Sequence, residues 1–219
     1  IMVCDGRPYG GLKPGGPGAD ILHFDRTEIS DGPDGEPLGW MAENRHSRHA
    51  LLSAIEKRDR ITSIAPVRAK HYEERPGGID LILEDGRYLS AKLLVACDGK
   101  FSRLRKQAGI RTFGWNYGQK GVVATVQHTE PHNGVAYEYF LPSGPFAILP
   151  LTENRSSLVW TEPNEIADAL KEMDEAGFQE ELDNRFGDFL GDVRNIGPRW
   201  AYPLGLRYAD QFCQERSAL

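Results

Sequence analysis

Ala96-Cys97-Asp98-Gly99-Lys100-Phe101-Ser102-Arg103-Leu104-Arg105 reads as the end of a strand, a sharp turn and the start of a short basic helix. Lys92 to Ala96 is a short, nearly continuous apolar run of the kind found in a buried strand. Asp98-Gly99 breaks it, and Ser102 caps a helix expected to run to about Ala108. Such a unit suits a polyanionic cofactor. The Asp98 carboxylate can accept ribityl or ribose hydroxyls, and Gly99 lets a backbone approach closely. The helix that begins at Ser102 is expected to offer free N–H groups beside Arg103 and Arg105. An isolated Asp-Gly is more often an ordinary turn. The full spacing, with Ser three residues after Gly and Arg three after Ser, favours the cofactor.

Before this unit, Ala50, Leu51, Ala54 and Ile55 recur at helical spacing in Asn44 to Lys57, with Asn44 placed to serve as N-cap. Ile61 to Tyr72, Gly78 to Leu83 and Tyr88 to Ala91 read as a β-meander, the last two joined across Asp85-Gly86. Nearer the N-terminus, Ile1 to Val3 resembles the tail of a strand and Ile21 to Phe24 a short strand. They lie among the Gly- and Pro-rich runs Gly6 to Gly18 and Ser30 to Gly39. Gly15-Gly16-Pro17-Gly18 has the wrong spacing for a nucleotide-binding GxGxxG and reads as a loop.

Beyond Gly109 come long β segments, Gly121 to Thr129, Val135 to Phe140, Phe146 to Leu151 and Ser156 to Trp160, predicting a largely antiparallel sheet. Two helices follow, Asn164 to Met173 and Glu175 to Phe186, the second with Phe178, Leu182 and Phe186 on one side. Strands resume at Val193 to Ile196, Trp200 to Leu206 and Gln211 to the end. Both termini read as cut within a longer chain.

Composition narrows the function. Of 219 residues, 40% are hydrophobic, enough for a real core, and 26 Lys and Arg against 32 Asp and Glu leave a net charge of -6. The basic residues are scattered, so nothing supplies the field a nucleic-acid backbone demands. Cys4, Cys97 and Cys213 are widely spaced and odd in number, which fits a reducing, cytosolic compartment better than a disulfide or zinc framework. No run approaches the roughly 18 to 20 apolar residues of a membrane span. His46 with His49, and His128 with His132, lack the further ligands of a metal site.

The Asp98-to-Arg105 stretch resembles the second FAD motif of the flavoprotein aromatic hydroxylases, Asp-Gly, two residues, Ser, two residues, Arg. Ala136 to Leu151 is similar to the Phe-x-Pro-x-Gly-Pro-x-Ala-x-Leu-Pro-Leu stretch of the ubiquinone-biosynthesis hydroxylases within that family. Leu158-Val159-Trp160, Glu43-Asn44 and Trp200-x-Tyr202-Pro203-Leu204 agree in the same order. The resemblance implies an α+β fold, in which part of an FAD-binding domain (1–110) joins a mostly antiparallel substrate sheet with covering helices (111–206), and 207–219 returns toward the first. It implies FAD held by Asp98, Gly99, Ser102 and Arg105, with Asn44 near the ribityl chain and Arg48 one turn later. Phe146, Ile148 and Leu149 would line a pocket for an aromatic ring, with Leu141, Pro142 and Pro145 at its mouth.

By the same resemblance the parent protein is an NAD(P)H- and O₂-dependent monooxygenase. It would hydroxylate a polyprenylated phenol, alongside other ubiquinone-biosynthesis proteins and peripheral to the inner membrane on its cytoplasmic side. The strand-GxGxxG-helix and the Gly-Asp-Ala-Ala-His motif that complete the family's FAD site are not in this sequence. Two other readings stay open at this point, a non-catalytic module for a quinone precursor or partner protein, and an FAD hydroxylase of some other phenol.

Overall fold

The computed structural model describes residues 1–5, 21–29 and 36–219. The 6–18 run, with its Gly15-Gly16-Pro17-Gly18 loop, and residues 30–35 lie outside the described residues. In chain order the elements are β1 (Met2–Asp5), β2 (Ile21–His23), α1 (Arg26–Ile29), α2 (Asn44–Glu56), β3 (Ala69–Arg75), β4 (Gly78–Leu83), β5 (Tyr88–Ala91), β6 (Leu94–Val95), α3 (Arg103–Gln107) and β7 (Thr112–Phe113). They continue with β8 (Asn116–His128), β9 (Tyr137–Leu141), β10 (Gly144–Pro150), β11 (Arg155–Pro163), α4 (Asn164–Glu172), α5 (Glu175–Phe186), β12 (Val193–Asn195), β13 (Trp200–Gly205), β14 (Tyr208–Ala209), β15 (Cys213–Gln214) and β16 (Ser217–Ala218). The fold is α+β.

The chain divides into two compact units, residues 1–47 with 116–204, and residues 48–115 with 205–219. The sequence grouped 1–47 with the Asp-Gly part. The structure instead puts it with the long sheet, because β1 pairs in parallel with β9, Val3 opposite Glu138 and Cys4 opposite Tyr139. An isolated three-residue apolar stub carries no pattern that could reveal such a distant partner.

The first unit is built on an eight-stranded sheet ordered β12-β8-β11-β10-β9-β1-β2, with β13 also paired to β8. Strict alternation along β8 and β11 sends Val122, Ala124, Val126, Leu158 and Trp160 to one face. There α4 and α5 cover them. Phe178, Leu182 and Phe186, four residues apart on α5, are all fully buried, as their spacing predicts. Asp174 starts α5 by accepting from the Gly177 N–H at 2.8 Å, and Gly187 at φ +78° ends it. Phe146 meets Trp160 edge-on at 5.6 Å, and Trp160 lies 6.1 Å from Phe178. Burying each such ring contributes about 2 kcal/mol, so Phe178→Ala would cost about 3–5 kcal/mol.

The second unit holds the β3-β4-β5 meander, turned at Gly86 with φ +88°. Ile61 to Arg68, expected as the start of β3, is not strand; regular pairing begins at Ala69, and a bulge at Ala69/His71 interrupts it. Tyr72, Ile79 and Leu104 form its small core. The Gln107 side chain binds both the N–H and the carbonyl of Tyr72, tying α3 to the meander. β6 pairs in parallel with β16, Ser217 opposite Leu94 and Ala218 opposite Val95. The expected buried strand at 92–96 is shorter than the sequence implies and partly exposed, since Leu93 and Val95 stay more than half accessible. α2 likewise buries none of its residues, although its apolar face is legible in the sequence.

Candidate functional site

Asp98, Gly99, Ser102 and Arg105 come together in one tight turn. Gly99 has φ +88°, a conformation costly to L-residues, and open space lies where a side chain would project. Its carbonyl accepts from the Ser102 N–H at 2.9 Å. Ser102, 4% exposed, caps α3 by accepting from the Arg105 N–H at 2.9 Å. Asp98 also faces the helix start, its Oδ2 3.1 Å from the Arg103 N–H. Burial pushes the Asp98 carboxyl up, but hydrogen bonds from the Ser102 hydroxyl and from backbone N–H groups outweigh it and hold the group below its ordinary value.

The free helix N–H groups expected here are therefore already occupied, by Asp98 and Ser102. The two acceptors satisfy the donors that a helix start leaves open. Arg103 is drawn aside to Glu84 at 3.4 Å. Arg105 differs. Its Nη1 donates to the Lys100 carbonyl at 3.3 Å, while its Nε is buried with no hydrogen-bond partner.

Asn44 and Arg48 are exposed on α2. Asn44 is the first helical residue rather than the cap, because the Glu43 carbonyl receives the His46 N–H at 2.9 Å. The Glu43 carboxylate binds Arg45 at 3.0 Å and approaches Arg155 at 3.7 Å. The Arg45 hydrogen bond, chiefly, holds its carboxyl below the usual range. Asn44 belongs to the first unit, Arg48 and the Asp98 turn to the second.

The expected ring pocket is split by the pleat of the sheet. Phe146 and Ile148, 0% and 1% exposed, point into the core beneath the helices, and Leu141 packs against the same core. They are structural, as the two-residue period of a strand requires once Trp160 fixes the register opposite Phe146. Pro142 is exposed at the turn into β10. Pro145 and Leu149 lie on the second face, away from the helix-covered core.

On that second face, paired positions align Leu22, Val3, Glu138, Ala147, Val159 and Val123 in one row across the sheet. Glu138 is its only polar member, half-buried, and burial pushes its carboxyl up. Sequence reading passed over it. The available signal was a lone acid inside the aromatic and apolar strand Tyr137-Glu138-Tyr139-Phe140-Leu141. One row further, a cleft of about 600 Å³ is lined by Phe24, Leu38, Trp40, Met41, Val135 and Leu149 among others. Its lining is mixed, these apolar groups standing beside His23, Asp25, Arg26 and Asn133, and it is of ordinary small-ligand size.

The family profile described as FAD binding domain matches residues 58–219. The chain belongs to this FAD binding domain family. Ubiquinone hydroxylase UbiL of Rhodospirillum rubrum is 43% identical over 201 residues, covering 91% of this chain and 45% of that protein. Ubiquinone biosynthesis monooxygenase COQ6, mitochondrial, of Homo sapiens is 35% identical over 242 residues, covering 91% and 50%. The chain thus spans about half the length of the curated relatives it matches. Among solved structures, the flavin-dependent halogenase CmlS superposes with a TM-score of 0.65 at 14% identity over 80% of this chain and 33% of its own, a likeness of fold.

FAD is the cofactor that this FAD binding domain family implies. The Asp98 turn fits part of such a group. The unpartnered Nε of Arg105 is a buried cationic donor lacking an acceptor, and Gly99 leaves open space for close approach.

Proposed function

We propose that the full-length protein is an FAD-dependent monooxygenase that hydroxylates the aromatic ring of a polyprenylated phenol in ubiquinone biosynthesis. One ring C–H, O₂, NAD(P)H and a proton give a ring C–OH, water and NAD(P)⁺. Bound FAD supplies the passage of electrons from NAD(P)H to O₂. Arg105, Gly99, Ser102 and Asp98 hold part of the FAD, Arg105 by direct donation and the other three by shaping the turn.

The observation that carries the reading is the mostly apolar row Leu22, Val3, Ala147, Val159 and Val123 on the second face of the long sheet. The next row reaches the cleft at Leu149, in a chain 43% identical to a protein named ubiquinone hydroxylase. Pro145 and Leu149 bear on the substrate there, and the cleft suits an apolar chain attached to a ring. Because that substrate is a lipid, the protein works on the cytoplasmic side, peripheral to the inner membrane, near other proteins of the pathway.

The test uses full-length protein loaded with FAD, supplied with NADH or NADPH and either a short-chain prenylphenol or 4-hydroxybenzoate. Mass spectrometry should show one added oxygen on the prenylphenol alone. Hydroxylation of 4-hydroxybenzoate in its place would reassign the substrate, and flavin-loaded protein that oxidises neither would overturn the reading.

A further inference from the structure

We propose that Glu138 receives the hydroxyl group of the aromatic substrate and so fixes the ring on the second face of the long sheet. The inference rests on the function proposed above and goes further by naming the polar anchor.

A carboxylate in the middle of an apolar row is costly unless something binds it. Val3 and Ala147 flank Glu138 directly, with Leu22 beyond one and Val159 and Val123 beyond the other. No cation or hydrogen-bond donor among the described residues meets it. The same unit shows how a buried carboxylate is otherwise provided for: Glu162 accepts from both Arg185 and the Trp160 indole. Glu138, half-buried with carboxylate oxygens that solvent still reaches, therefore offers an open acceptor beside apolar neighbours, which suits a ligand that pairs one O–H donor with a flat apolar body.

A phenol has that form. Neighbouring strands lie about 4.8 Å apart, so a ring bonded at Glu138 has Val3 beside it on one strand and the buried Ala147 on the other. Residues two apart on one strand are separated by about 7 Å, which brings the next row, Ala136 and Leu149 at the cleft, within reach of a chain attached to the ring. Accepting the phenolic hydrogen bond also leaves electron density on the oxygen and, through it, on the ring positions ortho and para to it. Those are the carbons an electrophilic oxygen donor attacks.

The experiment compares a short-chain prenylphenol with its methyl ether, which keeps shape and loses the donor, as ligands for full-length FAD-loaded protein. Equilibrium binding of each is measured for wild type, Glu138→Leu and Glu138→Gln. Wild type is expected to prefer the phenol by about tenfold or more, the usual worth of a hydrogen bond to a charged acceptor. Glu138→Leu should bind both within about twofold, and Glu138→Gln, whose amide oxygen still accepts, should fall between. A preference unchanged in both variants overturns this inference and leaves the proposed function standing. Wild-type protein that binds neither compound overturns both.

Discussion

Arg185 donates to Glu162 across 3.1 Å while its guanidinium lies 5.0 Å from the centre of the Trp160 ring, and the same carboxylate oxygen accepts the Trp160 indole N–H at 2.8 Å. Glu162 is 2% exposed, so its charge depends on these two partners. Arg185→Met should destabilise the first unit by about 3–5 kcal/mol, because it strands a buried carboxylate. Arg185→Met with Glu162→Leu should recover much of that loss. Urea unfolding followed by tryptophan fluorescence would measure both. A double variant no more stable than Arg185→Met would show that shape, not charge, governs the site.

At the Asp98 turn, capping and ligand contact should separate. Ser102→Ala removes the acceptor for the Arg105 N–H and should cost about 1 kcal/mol of stability. Arg105→Leu, replacing a half-buried residue whose Nε has no partner in the protein and whose Nη1 makes only a long 3.3 Å hydrogen bond to the Lys100 carbonyl, should change fold stability little. It should weaken FAD binding about 10- to 100-fold, as measured by flavin release from the full-length protein. Equal flavin affinity in wild type and Arg105→Leu would remove Arg105 from the cofactor site.

The contrast between these two sites explains what was readable from sequence. The turn is local: strand end, Asp-Gly, Ser cap and basic helix occupy ten consecutive residues, so spacing alone located it. The helices α4 and α5 and the strands β8 to β11 also carry their own periodicity. The ring pocket depended instead on which face each strand turns inward. Phe146 and Ile148 look like lining residues until the pairing with Trp160 and Leu158 places them in the core. Glu138 became visible only when the remote strand β1 placed Val3 on one side of it and the hairpin partner β10 placed Ala147 on the other. Propensity also missed the short α1 and put the start of β3 too early, since neither has a strong local pattern.

His128 should make the first unit acid-sensitive. It is 3% exposed, with Nδ1 2.7 Å from the Glu130 carbonyl and Nε2 3.0 Å from the Ser156 hydroxyl. Burial, chiefly, pushes its imidazole below the ordinary value, and nearby His132 adds to this. As pH falls below about 6.5, the unfolded chain takes up a proton that the native site resists, so stability declines. Melting curves from pH 7 to pH 5 should show this loss, and His128→Gln should lessen it. An identical pH slope in the variant would assign the acid sensitivity elsewhere.

Glu138 should act with the opposite sign. Its carboxyl is raised by burial, so between the ordinary glutamate value and the raised one the native state holds a proton that the unfolded chain has released. Stability is then lost as pH rises through that window. Glu138→Gln keeps size and removes the charge. The variant should melt higher than wild type at pH 7, by about 1–3 °C for a chain of this size, and the two should converge near pH 4. A variant that gains nothing at pH 7 would mean that the carboxylate is well solvated without a ligand, and the demand for a donor at Glu138 would lose its physical basis.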